Sequence, residues 1–202
     1  MSDFELEPLI EKPVDERGSF YRRPAWVEVD LDAIRNNVRV VRREIGDGVM
    51  VMAVVKADGY GHGALPVARA AVEAGADWLG VALTEEGIEL RKDGVDAPVL
   101  ILAEPPPSAA AQIIEYDLSA TVCSYEFIEA LDKEAARRGK VARLHLKIDT
   151  GMNRIGVPAS SAIDLVKAVQ MLPNTRLEGM FTHFAKAEDP ASDLTDLQMD
   201  RF

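Results

Sequence analysis

Residues 49–63 read VMVMAVVKADGYGHG, an apolar run that ends on Lys56 and passes at once into a glycine-rich turn. Val49 to Val55 show no polar–apolar alternation, which is the pattern of a strand buried on both faces of a parallel sheet. Lys56 is then either a solvated strand end or a reactive amine held at the mouth of the sheet. Taken alone, a lysine closing a strand is most often the former. An amine kept neutral by apolar surroundings, however, forms Schiff bases with carbonyl compounds. Gly59, Gly61 and Gly63 let the backbone come close to a phosphate, and the Tyr60 hydroxyl among them can donate to it.

A second cluster lies in HLKIDTGMNRIG, residues 145–156, where Lys147, Asp149, Thr150, Met152 and Arg154 surround a tight Thr-Gly turn. Arg154 offers a fixed cation for a phenolate or carboxylate. A third candidate, His183, lies toward the end of the run LEGMFTHFA. Other residues have ordinary readings. His62 sits in a Gly-His-Gly turn as a structural hydrogen-bonding group, and His145 lies inside a strand, packed or paired. Cys123 reads as a small core residue. TEEGIELRK, residues 84–92, reads as a solvated helix face with an acidic start and a basic end. A Schiff-base lysine, a phosphate donor, a fixed guanidinium and a ring-stacking imidazole together suggest pyridoxal phosphate, although no one of them is specific by itself.

The elements that must position these groups repeat a simple unit. Apolar runs at Val49–Val55, Trp78–Leu83, Pro98–Glu104, Leu118–Ser124, Ala142–Asp149 and Leu177–Ala185 alternate with helical patterns. The helices are expected over Ala64–Ala74, Thr84–Lys92, Ser108–Glu115, Tyr125–Arg138 and Ala159–Met171. Ahead of them, Trp26, Val27 and Val29 form an extended stretch, and Asp30 or Asp32 can cap a helix with Ile34, Val38 and Val41 on one face. Strands alternating with helices predict a parallel sheet of the α/β class, because parallel neighbours need a crossover. Neither a G-x-G-x-x-G fingerprint nor a Walker lysine motif occurs, so a (β/α)8 barrel with about six of its eight strands fits better than a dinucleotide-binding sheet. The closing stretch DLTDLQMDRF starts with a cap at Asp193 and has no C-terminal stop signal, so the chain is expected to be the front part of a longer protein.

Composition narrows the function further. Of 202 residues, 34 are acidic and 23 basic, a net charge of -11, which argues against non-specific nucleic-acid binding. No apolar run approaches the ~20 residues of a membrane span. The N-terminus lacks the basic and apolar regions of a secretory signal. One cysteine and three scattered histidines give neither an internal disulfide nor a zinc spacing, so a cytoplasmic protein without a metal is expected.

AVVKADGYGHG and LKIDTGMNRIG, with AWVEVDLDAIRNNV before them and LEGMFTHFA after, resemble alanine racemase, a fold-type III pyridoxal-phosphate family, from about Pro24 to Phe202. The resemblance implies that Lys56 holds the cofactor and acts as one of two racemisation bases, and that Tyr60 donates to the cofactor phosphate. It implies Arg154 at the cofactor's phenolic oxygen and, with Met152, at the substrate. It further implies His183 stacked on the pyridine ring, and it matches Lys147 to a lysine often carbamylated by carbon dioxide. That adduct would place an anion beside Arg154 where two cations would otherwise repel. Asp58 stands where the commonest family version has asparagine, with Tyr60 keeping its offset from Lys56.

The implied organisation is a flexible arm over residues 1–24 and a strand over 25–31 that pairs with a β-rich C-terminal domain. Residues 32–202 would form the partial cofactor-binding barrel. The implied activity is interconversion of L- and D-alanine for peptidoglycan, by a cytoplasmic homodimer with no nucleic-acid or membrane partner. The second base, a tyrosine from the partner subunit, lies outside these residues, so the chain alone is expected to racemise weakly or not at all. The alternatives are a non-catalytic pyridoxal-phosphate carrier, a racemase of serine, lysine or a broad set of amino acids, a class I aldolase and a plain phosphate-binding barrel.

Overall fold

In a computed structural model, residues 27–202 are described. The arm over 1–24 and the first two residues of the strand expected over 25–31 lie outside these residues. Residues 27–30 form no strand, and by contacts they belong to a unit separate from Leu31–Phe202. The second unit starts with α1 (Leu31–Ile45) and continues as β1 (Met52–Val54), a turn α2 (Lys56–Gly61), α3 (Ala64–Glu73), β2 (Trp78–Val81) and α4 (Thr84–Lys92). Then come β3 (Val99–Ile101), α5 (Ala110–Glu115), β4 (Ser119–Val122), α6 (Tyr125–Arg138) and β5 (Ala142–Asp149). A two-residue β6 (Val157–Pro158), α7 (Ala162–Gln170), β7 (Thr175–Phe181) and α8 (Leu194–Arg201) complete it.

Every pairing is parallel, in the order β1-β2-β3-β4-β5-β7, with β6 set against the last residues of β5. Each strand shows two faces, as a two-residue period requires. Val55, Leu79, Val81, Val99, Ile101, Ala120, Val122 and Leu144 point outward and pack on Ile88, Ile113, Phe127, Ile128 and Leu131 of the helices. Burying a side chain such as Phe127 stabilises by about 1.5–3 kcal/mol. The opposite face carries Met52, Trp78, Gly80, Ser119, Thr121, His145 and Lys147, which the strand register brings level with one another.

The sheet is strongly curled. Neighbouring strands lie about 4.8 Å apart, so β2 and β5 would be roughly 14 Å apart in a flat sheet. Instead the rings of Trp78 and His145 meet edge-on, with centroids 5.2 Å apart. Ser119 on β4 likewise reaches Glu178 on β7, its hydroxyl donating across 3.5 Å. These contacts cross the inside of a barrel wall, as the (β/α) alternation predicts.

Local signals explain the better-placed helices. The Ser124 hydroxyl caps α6 by accepting from Phe127 N, and Gly139 closes it in a left-handed conformation. The observed strands are shorter than most of the apolar runs, because the run ends leave the ladder to build loops. A β-bulge between Leu144 and His145 makes His145 face Gly179 and Lys147 face Phe181. The solvated reading of α4 needs correction: Thr84, Gly87, Ile88 and Leu90 are buried, and a Cβ on Gly87 would lie 3.0 Å from the Leu118 side chain. Among the described residues no helix is long and apolar enough to cross a membrane, and no group of three His, Cys, Asp or Glu could hold a metal ion.

Candidate active site

The strand ends of β1, β5 and β7 bring the candidate residues to one end of the sheet, the face on which barrel chemistry is placed. Lys56 directly follows the fully buried Val55 and opens α2. That element is not an ordinary helix. Ala57, Asp58, Gly59 and Tyr60 all have φ between 51° and 60° and ψ between 37° and 53°, one turn of left-handed helix. For Ala57, Asp58 and Tyr60, which carry a Cβ, this costs about 1–2 kcal/mol each.

Several bonds hold the turn in place. Gly59 N donates to Val55 O at 2.9 Å, Gly63 N to Asp58 O at 2.9 Å, and Ala64 N to the Asp58 carboxylate at 2.7 Å. Glu86, reaching from α4, accepts from Ala57 N at 2.6 Å. His62 is the structural group its turn suggested, its Nδ1 lying 3.1 Å from both Gly59 O and Tyr60 O. The Lys56 amine sits 5.8 Å from the centre of the exposed Tyr60 ring.

β5 presents Lys147 and Asp149 on its inner face. Lys147 is only 4% exposed, and its Nζ lies 4.6 Å from the centre of the Phe181 ring. Burial first, then the Arg154 charge, pushes this amine below its ordinary value, with Asp149 opposing. The Asp149 carboxylate organises the turn that follows, accepting from Asn153 N at 3.0 Å and Gly151 N at 2.9 Å. Those N–H groups hold its carboxyl below the usual carboxylate range. Lys147, Asp149, Met152, Arg154, Thr182 and His183 line one depression. Desolvation, then the positive charges of Arg154, Lys147 and Lys56, lowers the pKa of the His183 imidazole.

Two residues that sequence reasoning missed support this arrangement. Gln198 on α8 is fully buried, donating to His183 O at 2.9 Å and Thr150 Oγ1 at 3.0 Å while accepting from Ala185 N at 2.9 Å. Arg201 adds a bond to Thr150 O at 3.0 Å, and Thr150 Oγ1 lies 2.8 Å from Thr182 Oγ1. The second is Glu86, whose spacing three residues after Leu83 fits a helix cap but gives no hint of its contact with Ala57. The structure thus brings Lys147, Met152, Arg154 and His183 into one depression. Lys56 acts on it through charge, while Tyr60 stands beside Lys56 and outside the lining. His145 takes no part: burial lowers its pKa, and it packs on Trp78 with Glu178 Oε2 at 3.9 Å.

Comparison with known proteins identifies the family of this fold. Residues 29–202 match the family described as alanine racemase, N-terminal domain. The alanine racemase of Symbiobacterium thermophilum is 47% identical over 180 residues, covering 89% of this chain and 48% of the relative. That of Synechocystis sp. is 44% identical over 90% of this chain and 49% of the relative. Among solved structures, the Clostridium difficile 630 alanine racemase in complex with cycloserine superposes with a TM-score of 0.85 at 36% identity, covering 89% of this chain and 50% of the other. The Bacillus anthracis alanine racemase with bound L-Ala-P gives 0.82 at 38% identity, over 91% and 48%. A histidine racemase from Leuconostoc mesenteroides subsp. sake gives 0.79 at 28% identity, over 85% and 46%. The chain therefore spans about half the length of the relatives it matches, and it belongs to the alanine racemase family through that family's N-terminal domain.

Proposed function

We propose that this chain forms the cofactor-binding barrel of a pyridoxal-phosphate-dependent alanine racemase that supplies D-alanine for peptidoglycan and works as a cytoplasmic homodimer. The observation that carries the reading is the gathering of Lys147, Met152, Arg154 and His183 in one depression at the strand ends, with the Lys56 charge acting on His183. The residues fit the cofactor. Its phosphate needs a donor and open space beside the lysine, and Tyr60 and Gly61 offer both: a Cβ on Gly61 would meet nothing within 4 Å. Its phenolic oxygen needs a cation, which Arg154 provides, and its ring needs a flat neutral partner, which suits a His183 with a lowered pKa.

When bound, pyridoxal phosphate supplies an electron sink that acidifies the proton on the substrate Cα. Lys56 would hold the cofactor through its amine, and the same amine would remove or return the Cα proton from its own side only. Reversal of configuration needs a second base on the opposite side, so these residues alone are expected to turn over alanine slowly or not at all. Arg154 pairs with the substrate carboxylate, next to Met152. Lys147, its amine disposed to neutrality, is suited to carbamylation: the nitrogen lone pair bonds to the carbon of carbon dioxide and a proton leaves to water. The resulting anion would orient Arg154. The lone Cys123 suits a reducing compartment.

Incubation with pyridoxal phosphate, borohydride reduction and peptide mass mapping test the reading. A pyridoxyl mass on the peptide containing Lys56 is expected. Labelling confined to other lysines, or none in a folded sample, overturns it. The likeness to a histidine racemase favours one second reading, a racemase acting on another amino acid. Deuterium uptake at the Cα of alanine, serine, lysine and histidine, assayed side by side, separates the two.

A further inference from the structure

The left-handed turn that carries Lys56 and Tyr60 does not hold itself. Its first N–H, on Ala57, points away from the turn and is taken by Glu86 Oε1 at 2.6 Å. The other carboxylate oxygen, Oε2, accepts from Ala82 N at 2.8 Å and Leu83 N at 3.0 Å, where the chain leaves β2. One carboxylate thus binds three backbone N–H groups and ties the exit of β1 to the exit of β2. The Leu83 bond is half of a capping box on α4, which a purely structural role would explain. The Ala57 bond lies outside that box. It crosses 29 residues of sequence to the position next to Lys56, in a backbone conformation alanine rarely adopts.

We propose that Glu86 is a positioning residue that fixes the Lys56 amine and the Tyr60 hydroxyl relative to each other by locking the left-handed turn between them. The inference rests on the cofactor reading given above for these two groups. Both Glu86 oxygens are occupied by donors, so glutamine cannot replace it, because its NH2 would face at least one N–H. Aspartate keeps the charge but is one methylene short of spanning both strand exits.

A control is built into the fold. Glu104 makes the same kind of bridge between the exits of β3 and β4, accepting from Cys123 N, from Ser124 N at 2.9 Å and from the Ser124 hydroxyl at 2.7 Å. No hydrogen bond links it to the Lys56 turn.

The test measures two things on this chain and its Glu86→Gln, Glu86→Asp and Glu104→Gln variants. The first is the dissociation constant for pyridoxal phosphate, at a temperature where all are folded. The second is amide hydrogen exchange of Gly59 and Gly63 without cofactor. Loss of one hydrogen bond to a charged group predicts about tenfold or greater weakening of cofactor binding in both Glu86 variants. Exchange at the two turn amides should accelerate by about the same factor. Glu104→Gln should leave both within about threefold, since no partner near the turn is lost. Equal effects of Glu104→Gln and Glu86→Gln, or unchanged exchange in both Glu86 variants, overturn the proposal. If the unaltered chain binds no pyridoxal phosphate, the cofactor reading fails, and the exchange measurement alone decides whether Glu86 locks the turn.

Discussion

Replacing Gly156 with alanine probes how tightly the strand bearing Lys147 is closed by the turn that follows it. Gly156 has φ of +128°, and a Cβ built there would lie 2.8 Å from Asp149 N, 3.1 Å from the Ile148 carbonyl carbon and 3.2 Å from Lys147 Cγ. Two of those atoms are β5 backbone, and the pairings of Ile148 with Val157 and Lys147 with Phe181 hold that backbone from both sides. No side chain can rotate away to relieve the contact. The unfavourable φ costs about 1–3 kcal/mol, and overpacking against backbone adds about 1–3 kcal/mol. A loss of about 4 kcal/mol corresponds to roughly 8–16 °C in the thermal midpoint of a chain this size.

Gly139→Ala is the matched comparison. Its φ of +61° is also left-handed, but a Cβ there meets nothing within 4 Å. Only the conformational cost of about 1–2 kcal/mol should appear. Urea unfolding followed by circular dichroism, with unchanged slopes, gives both numbers. Equal losses in the two variants, or a loss below about 1 kcal/mol for Gly156→Ala, would refute the argument from close approach.

Other perturbations test neighbouring features. Cys123 is half-buried and next to Glu104, and burial followed by that charge pushes its thiol up to about 11. Alkylation by iodoacetamide should be slow at pH 8 and still rising at pH 10, whereas a plateau by pH 9 contradicts this. Lys147→Met should raise stability at neutral pH, because a lowered folded pKa means folding penalises the charged amine. That gain should shrink as pH rises through the folded value toward the unfolded one, and thermal midpoints from pH 7 to 10.5 read it. Asp149→Asn should lower the midpoint at pH 7, with the difference closing as pH falls below about 4. The Asp149 carboxyl is depressed on folding, so its contribution exists above the unfolded pKa and is lost through the folded one. Gln198→Leu strands His183 O and Ala185 N without their buried partner and should cost about 3 kcal/mol in urea unfolding.

The sequence carried some of this architecture openly. Thr84–Lys92, Tyr125–Arg138 and Ala142–Asp149 fold over the ranges their patterns predict, because Ser124 and Gly139 bound one helix and outward Leu144, Leu146 and Ile148 alternate with polar partners on β5. The left-handed turn was illegible for a physical reason: alanine and tyrosine have no local preference for it, one aspartate is too weak a signal for four consecutive residues, and tertiary bonds impose it. β6 is two residues long and includes a proline, which cannot donate to a ladder, so no periodicity announces it. The chemical residues were visible through type and spacing. Glu86 and Gln198 were not, since their telling partners, Ala57 N and His183 O, lie 29 and 15 residues away, and only the folded contacts reveal them.

The bulge in the β5–β7 pairing divides β7 into two frames. In an unbroken strand Leu177 and Phe181, four residues apart, would share a face. Here Leu177 packs outward against the helices, while Phe181 lies beneath the Lys147 amine. Glu178, the residue skipped between Leu177 and Gly179 in the register, absorbs the change of phase. A straightened β7 of the same length would set Met180 against Lys147 and turn Phe181 toward the helices. The lower half of the strand is thus keyed to the helical shell and the upper half to the depression. One surplus residue uncouples the parity of the two, so substitutions that retune the shell need not drag the ring under Lys147 with them.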